Sequence, residues 1–398
     1  MAVLNKANIL LPKAADYQKW GVVACDQYTS EKEYWDRVKA YVGDAPSTFN
    51  LVYPEAYLSE GDAYIDRINA HMAKYIENGV FEEHKDVYVY IERTLSGGRI
   101  RRGLIGTVDL ETYDFSKGSK SKIRATEGTV AERIPPRVKI RQNAPLELPH
   151  AILLIDDKED KVIPHACEKT PVYDFDLMEN GGHIKGYIID GAEADALSAR
   201  FESYAENVND GLVFAVGDGN HSLATAKTCW ENIKKNLSPA EQGNHPARYC
   251  LVEIENLYDA ALEFEPIHRV LFDVEPAEVL ESLKKFSEEG KGENTHTVTY
   301  VYNGCEGEIT LKNMESNLAV GAVQSFIDSM GYEADYIHGD DTTRRLGSGE
   351  KAFGFILSAM EKESLFETVI KDGALPRKTF SMGEAHEKRF YIEAKVIK

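Results

Sequence analysis

The chain has 398 residues, 43% hydrophobic and 28% charged, with 66 acidic against 46 basic side chains for a net charge of −20. The length suggests about two domains, the composition is that of a globular protein rather than a disordered one, and the charge disfavours nucleic acid as a partner. No apolar run approaches a membrane span, no secretion signal is expected from Met1-Ala2-Val3-Leu4-Asn5-Lys6, and five scattered cysteines without a Cys-x-x-Cys pair suit a reducing cytoplasm.

In chain order, residues 1–50 read as short extended pieces and one helix. That helix has the capping-box pattern Ser30-Glu31-Lys32-Glu33, then Tyr34, Trp35, Val38 and Tyr41 at helical spacing, and Pro46 ends the unit. Residues 62–78 place Ile65, Ile68, Met72 and Ile76 on one helix face, with Gly79 as the stop. Strands are expected over 86–92 and 101–108, joined through Ser96-Gly97-Gly98. Residues 117–141 carry eight basic side chains against Glu127 and Glu132. This stretch reads either as a solvated loop face or as an anion-collecting wall stiffened by Pro135-Pro136. A short apolar strand over 151–157, a loop over 164–171, strands over 172–178 and 183–190, and a helix over 192–207 follow.

Then comes Val213-Phe214-Ala215-Val216-Gly217-Asp218-Gly219-Asn220-His221-Ser222, an apolar run ending in a Gly-Asp-Gly turn that opens a helix. Gly217 and Gly219 free the backbone to turn sharply beside a ligand. The first helical amides favour an anion there. Asp218, Asn220, His221 and Ser222 would surround it, which makes a phosphate or metal-phosphate cradle; an ordinary strand-to-helix connection is the plainer reading. Beyond it, a strand over 247–257, a helix from Pro276, a hairpin over 296–311 around Asn303-Gly304, a helix over 318–330, a strand over 352–360 and a helix over 364–371 are expected. The class is therefore α/β to α+β with a mixed sheet, interleaved helices and hairpins. The division is placed at 1–270 for a main domain with the phosphate site and 271–398 for a C-terminal α+β part.

Several segments together resemble the domain-of-unknown-function family 1015. They are Ala24-Cys25-Asp26-Gln27-Tyr28, Arg102-Gly103-Leu104-Ile105-Gly106, Arg124-Ala125-Thr126-Glu127-Gly128-Thr129, the Asp-Gly-Asn-His turn, Ile267-His268-Arg269-Val270 and the Leu-Pro-Arg-Lys-Thr tail. Two pieces also resemble the ParB/sulfiredoxin-like fold that includes free-serine kinases. That resemblance implies a ParB/sulfiredoxin-like core with an additional subdomain, a catalytic carboxylate at Glu127, and a nucleotide-phosphate turn at Asp218, Gly219 and His221. The pattern departs at Thr126, where His is typical, at Asn220, which replaces a His, and at Ser222, which replaces an Arg. Loss of that Arg removes a bidentate phosphate donor, for which Lys227 or the 117–141 segment would compensate.

These readings converge on a phosphoryl-transfer enzyme, kinase-like, acting on serine, phosphoserine or another small hydroxy-amino acid, with a phosphatase as the first alternative. A phosphate-ligand sensor without turnover and a ParB-like nucleic-acid regulator are the others. Glu127 would accept the hydroxyl proton, Asp218 would hold Mg²⁺, and His221 would donate or act as an acid. Gly217, Gly219, Asn220, Ser222, Arg124 and Arg133 would hold phosphate from ATP or ADP. His268, Arg269, Arg377 and Lys378 would meet the substrate, a small molecule. His338-Gly339-Asp340-Asp341 reads as a turn and helix cap rather than a metal site. Cys25 beside Asp26 lacks a basic context, which argues against a thiolate nucleophile.

Overall fold

Along the strand Phe81–Thr94, Val87, Val89 and Ile91 enter one hydrophobic cluster while Tyr88 and Tyr90 enter another. Successive side chains of a strand point to opposite faces, so a strand apolar on both must lie inside a sheet covered on both sides. The computed structural model that shows this describes residues 3–13, 16–128 and 131–398. Within them the chain forms two compact units, the first from 1–125, 129–262 and 384–398, the second from 126–128 and 263–383. The last fifteen or so residues thus return to the first unit, where a single cut near residue 270 had been expected.

The sheet of the first unit has ten strands among the described residues. Its order is Tyr113–Asp114, Ile123–Arg124, Phe214–Asp218, Ile152–Ile155, Tyr249–Asn256, Ile100–Asp109, Phe81–Thr94, His183–Ile189 and Tyr173–Asp176, with Ala7–Pro12 also paired to Phe81–Thr94. Parallel pairs (Phe214–Asp218 with Ile123–Arg124, Tyr249–Asn256 with Ile152–Ile155) sit among antiparallel ones, so the sheet is mixed as expected. Helices Lys32–Val42 and Asp62–Glu77 pack into one cluster; Gly191–Glu206 and Asn220–Lys234 pack into the other. No helix among the described residues is long and apolar enough to cross a membrane.

Three local expectations change. The Lys32–Val42 helix takes Glu31 as its N-cap without a side-chain cap bond, so the Ser30 box does not form, and Tyr41 is exposed. Residues 117–141 are not simply a loop. They hold the strand Ile123–Arg124 and the helix Ile134–Arg141, whose prolines stand at the first helical positions, where a missing N–H costs nothing. Thr129 and Val130 lie outside the described residues.

The second unit is an antiparallel six-stranded sheet in the order Cys305–Met314, Asn294–Tyr302, Ala352–Ile356, Phe264–Phe272 and Ala334–His338, with Phe380–Met382 also against Phe264–Phe272. The first two strands form the expected hairpin, and Asn303 and Gly304 turn it with positive φ. Helices Pro276–Glu288 and Ala319–Met330 bury Val279, Leu283, Val323 and Phe326 in its core. Gly339 caps the helix Asp340–Gly347, so the His338–Asp341 stretch is a turn and helix start.

Candidate functional site

The strand Phe214–Asp218 runs into the helix Asn220–Lys234 through Gly219 alone. Gly219 has φ +81°, the left-handed region, and a side chain there would start 2.8 Å from Ala151 Cα and 3.0 Å from His150 Cδ2. Glycine is required twice over, once by the backbone angle and once by space. Gly217 acts differently. The pairing with Ile152–Ile155 slips between Val216 and Asp218, so Gly217 is the extra residue of a bulge. Asp218 Oδ1 accepts the Gly219 N–H at 2.9 Å and Oδ2 lies 3.6 Å from Lys388 Nζ. Asn220 is buried; His221 and Ser222 are half-buried, and the His221 carbonyl accepts from Thr225 Oγ1 at 2.7 Å.

The close packing of Gly219 on His150 draws a second group of residues to the turn. The His150 imidazole, its side chain 14% exposed, lies with Nδ1 2.5 Å from Tyr391 Oη and Nε2 3.5 Å from Asp26 Oδ2. Tyr391 Oη also accepts the Cys25 N–H at 3.2 Å and donates to Cys25 Sγ at 3.3 Å. Asp26 Oδ1 accepts from Gln27 Nε2 at 3.0 Å. Desolvation works against an ionised Asp26, but His150 beside it, with Gln27 and Lys388, holds its carboxyl well below the usual range. Burial pulls the His150 ring down, yet Tyr391, Asp26 and Cys25 outweigh it and the ring is raised well above its ordinary value. Glu55 joins from the 3-10 turn Glu55–Glu60, its N–H on the Cys25 carbonyl at 2.8 Å and its carboxylate paired with Arg137. Burial raises the Glu55 carboxyl and Arg137 opposes the rise.

Two members of this group, Lys388 and Tyr391, come from the far end of the chain. The strand Phe390–Tyr391 pairs with Val22–Val23, which puts Tyr391 against the Cys25 turn. Buried charges hold the segment. Arg389 pairs with Glu253 at 2.8 Å and with Glu393, which also accepts from Tyr173. Arg93, fully enclosed, donates to the carbonyls of Gly181, His386, Glu387 and Lys388. Gly103 makes room for Glu253, since any side chain at 103 would overlap that carboxylate. Arg101 faces Glu255 at 3.0 Å, and burial still pushes the Glu255 carboxyl up to about 8. Sequence reasoning missed Asp26, His150, Lys388 and Tyr391 as one cluster; the Cys25-Asp26-Gln27 segment had stood out, but nothing linked it to residues over a hundred positions away.

The other expected site residues each have a local setting of their own. Arg124 is 2% exposed and donates to the Ser121 and Asp210 carbonyls and to the Asp210 carboxylate. Arg133 is exposed, and its carbonyl accepts from Arg137. Lys227 donates to the Leu110 carbonyl and pairs with Glu231. Glu127 belongs to the second unit: it bridges to Leu375, whose N–H donates to the Thr126 carbonyl at 2.6 Å, and it lies in the field of Arg269. In that unit Arg269 is buried, holds the carbonyls of Ile267, Arg377 and Lys378, and faces the Tyr336 ring. Arg377 and Lys378 are exposed, so this tail is bound through its backbone. His268 accepts the Leu357 N–H at Nδ1 and donates from Nε2 to Asp340 at 3.0 Å; burial lowers its pKa. No group of three or more His, Cys, Asp or Glu among the described residues could hold a metal ion.

A family model described as protein of unknown function, DUF1015, matches residues 9–330. The chain belongs to this family. DUF1015 membership fits the segment order from Cys25 to Arg269, and no curated protein matches the chain. Among solved structures the chain is similar to a free serine kinase mutant in complex with ADP, at 13% identity and TM-score 0.37, covering 72% of this chain and 94% of that one. It is also similar to SbnI with a C-terminal truncation from Staphylococcus aureus, at 12% identity and TM-score 0.35, covering 72% and 82%. A conserved hypothetical protein from Pyrococcus furiosus gives 11% identity and TM-score 0.34, covering 68% and 92%. Likenesses of that size assign no chemistry to individual residues.

Proposed function

We propose that this DUF1015 protein is a phosphoryl-transfer enzyme whose first unit binds a nucleotide phosphate at the start of the Asn220–Lys234 helix. The observation that carries the reading is the turn itself: a left-handed Gly219 between strand and helix, with Asp218, Lys388 and His150 gathered round it. Helix-start amides favour an anion, and Lys388 and His150 add positive charge beside it. Phosphoryl transfer asks chiefly for such charge neutralisation and for fixed positions.

Mg²⁺ fits this site only in one form. Without a three-ligand cluster among the described residues, it would be held mainly by nucleotide phosphates and water, with Asp218 as the protein carboxylate. The acceptor, a small hydroxy-amino acid such as serine, follows from the motif resemblance to free-serine kinases.

The test is incubation with ATP plus serine, ADP plus phosphoserine, or phosphoserine alone, each with Mg²⁺, followed by product analysis. We expect turnover in a nucleotide-containing mixture, reduced about a hundredfold or more in Asp218→Ala, the scale of losing an electrostatic contact made in the transition state. Phosphate release from phosphoserine alone would identify a phosphatase. No product in any mixture, together with identical nucleotide-dependent melting of the wild type and Asp218→Ala, would reject phosphate chemistry at this turn.

A further inference from the structure

The hydrogen bonds around Tyr391 carry information about the neighbouring imidazole. A tyrosine hydroxyl has one proton to give and two lone pairs to receive with. Here Oη donates to Cys25 Sγ and accepts the Cys25 N–H, which leaves one lone pair for His150 Nδ1 at 2.5 Å. In this arrangement Nδ1 carries a proton. The other nitrogen, Nε2, faces the Asp26 carboxylate, and a lone pair there would point at negative charge. A proton on each nitrogen satisfies both contacts. The 3.5 Å separation from Asp26 exceeds the usual hydrogen-bond length, so that contact is an ion pair rather than a close hydrogen bond. Its neighbour in the ring, Cδ2, is the atom against which Gly219 packs.

We infer that His150 is the fixed cation of the Gly219 turn, with Asp26 and Tyr391 as the residues that position and charge it. This rests on the phosphate reading of the turn and assigns the residue that makes it selective for anions. An imidazolium kept in one orientation by partners on both sides gives its charge to a phosphate without first being ordered, unlike a flexible surface lysine. The raised titration of His150 agrees with the geometry. The charged and titratable groups facing it are Asp26 and Cys25 from the turn after Val22–Val23, Tyr391 from the C-terminal strand, and Glu55 with its partner Arg137. Lys388 acts on Asp26 and pairs with Asp218.

Two measurements test this on the full-length protein. In the first, imidazole NMR resonances are followed against pH, with His150 assigned by its loss in His150→Gln. We expect His150 to be an imidazolium at neutral pH in the wild type and to titrate at lower pH in Asp26→Asn; a neutral ring at pH 7 in the wild type overturns the inference. In the second, binding of ATP and of inorganic phosphate is measured by calorimetry from pH 6 to 9. We expect affinity to fall as the pH passes the His150 pKa, and His150→Gln to bind about ten- to a hundredfold more weakly at pH 7 with that pH dependence gone, the range for losing a hydrogen bond to a charged group. Equal affinity and an unchanged pH profile in His150→Gln would remove His150 from the role while leaving the turn a phosphate site. A wild type that binds neither probe at any pH would reject the turn as a phosphate site and the role of His150 with it. Should His150→Gln fail to fold by circular dichroism, Asp26→Asn serves in its place, with the same loss of affinity expected and the same affinity as wild type counting against the inference.

Discussion

At position 219 two separate constraints fall on one residue. Gly219→Ala would place a methyl group 2.8 Å from Ala151 Cα while forcing an L-residue to φ +81°. Neither neighbour is a flexible side-chain tip that can swing away. The expected cost is about 1–3 kcal/mol in urea unfolding, the scale of a strained backbone conformation, and nucleotide-dependent stabilisation should disappear with it. The Asp26 and His150 pair makes a different residue-scale prediction. Asp26 has its pKa depressed on folding, so its contribution to stability is present above the ordinary Asp value and is lost as pH falls through the lowered one. His150 has its pKa raised, so its contribution is complete below the ordinary His value and is lost as pH rises through the raised one. The pair should thus stabilise most between about pH 3.9 and pH 6.5, the two ordinary values. The difference in unfolding free energy between wild type and Asp26→Asn, measured across pH 3 to 10, should show that plateau and decline on both sides. A difference that is flat with pH would mean the two groups are not coupled.

The strand, turn and helix at residues 214–234 were legible from sequence because their signals are local. Branched and aromatic residues end in two glycines, and a helix-forming run follows at once. What could not be read is why each glycine is there. Gly217 and Gly219 look alike in the sequence, yet one absorbs a bulge and the other turns the chain. Gly103 is harder still, for it stands inside an ordinary apolar strand, and only the register opposite Glu255, with Glu253 two residues away, shows that its missing side chain houses a carboxylate. Gly103→Ala should therefore act as a charge mutation. It displaces Glu253 from Arg389, and breaking a buried pair from one side costs about 3–5 kcal/mol. Chemical denaturation of Gly103→Ala and of Glu253→Ala should give losses of similar size, and the double variant should lose much less than their sum. Simple additivity would show that the glycine serves some other purpose. The basic stretch 117–141 misled for a related reason. Composition records its charge but not its pairing, and Arg124, Arg137, Lys139 and Arg141 each meet a carboxylate.

For the first unit as a whole, the C-terminal segment sets the terms. The expected division put residues 384–398 in the C-terminal part, and nothing in their sequence marks them as closing the unit begun at the N-terminus. Leu10 and Ala394 exchange backbone hydrogen bonds at 2.8 and 3.0 Å, the Trp20 indole donates to the Ile392 carbonyl, and Ile397 N–H donates to the Pro145 carbonyl. Phe390, Ile392 and Ala394 are buried in the same cluster as Trp20, Trp35 and Val89. Terminal segments are ordinarily the first to open, and a frayed end here would carry Lys388 and Tyr391 away from the turn. The contacts argue for the opposite order. Amide hydrogen exchange should show Ala394 protected to the same degree as Val89 or Ile254 in the central strands, so that all three exchange only through global opening of the unit. Arg389→Met keeps much of the volume but leaves Glu253 and Glu393 buried without their cation. It should lower the protection of the whole unit together rather than of 390–397 alone. Selective loss at the end of the chain would instead describe a detachable strand, and the positions of Lys388 and Tyr391 beside Asp218 and His150 would then be conditional on its docking.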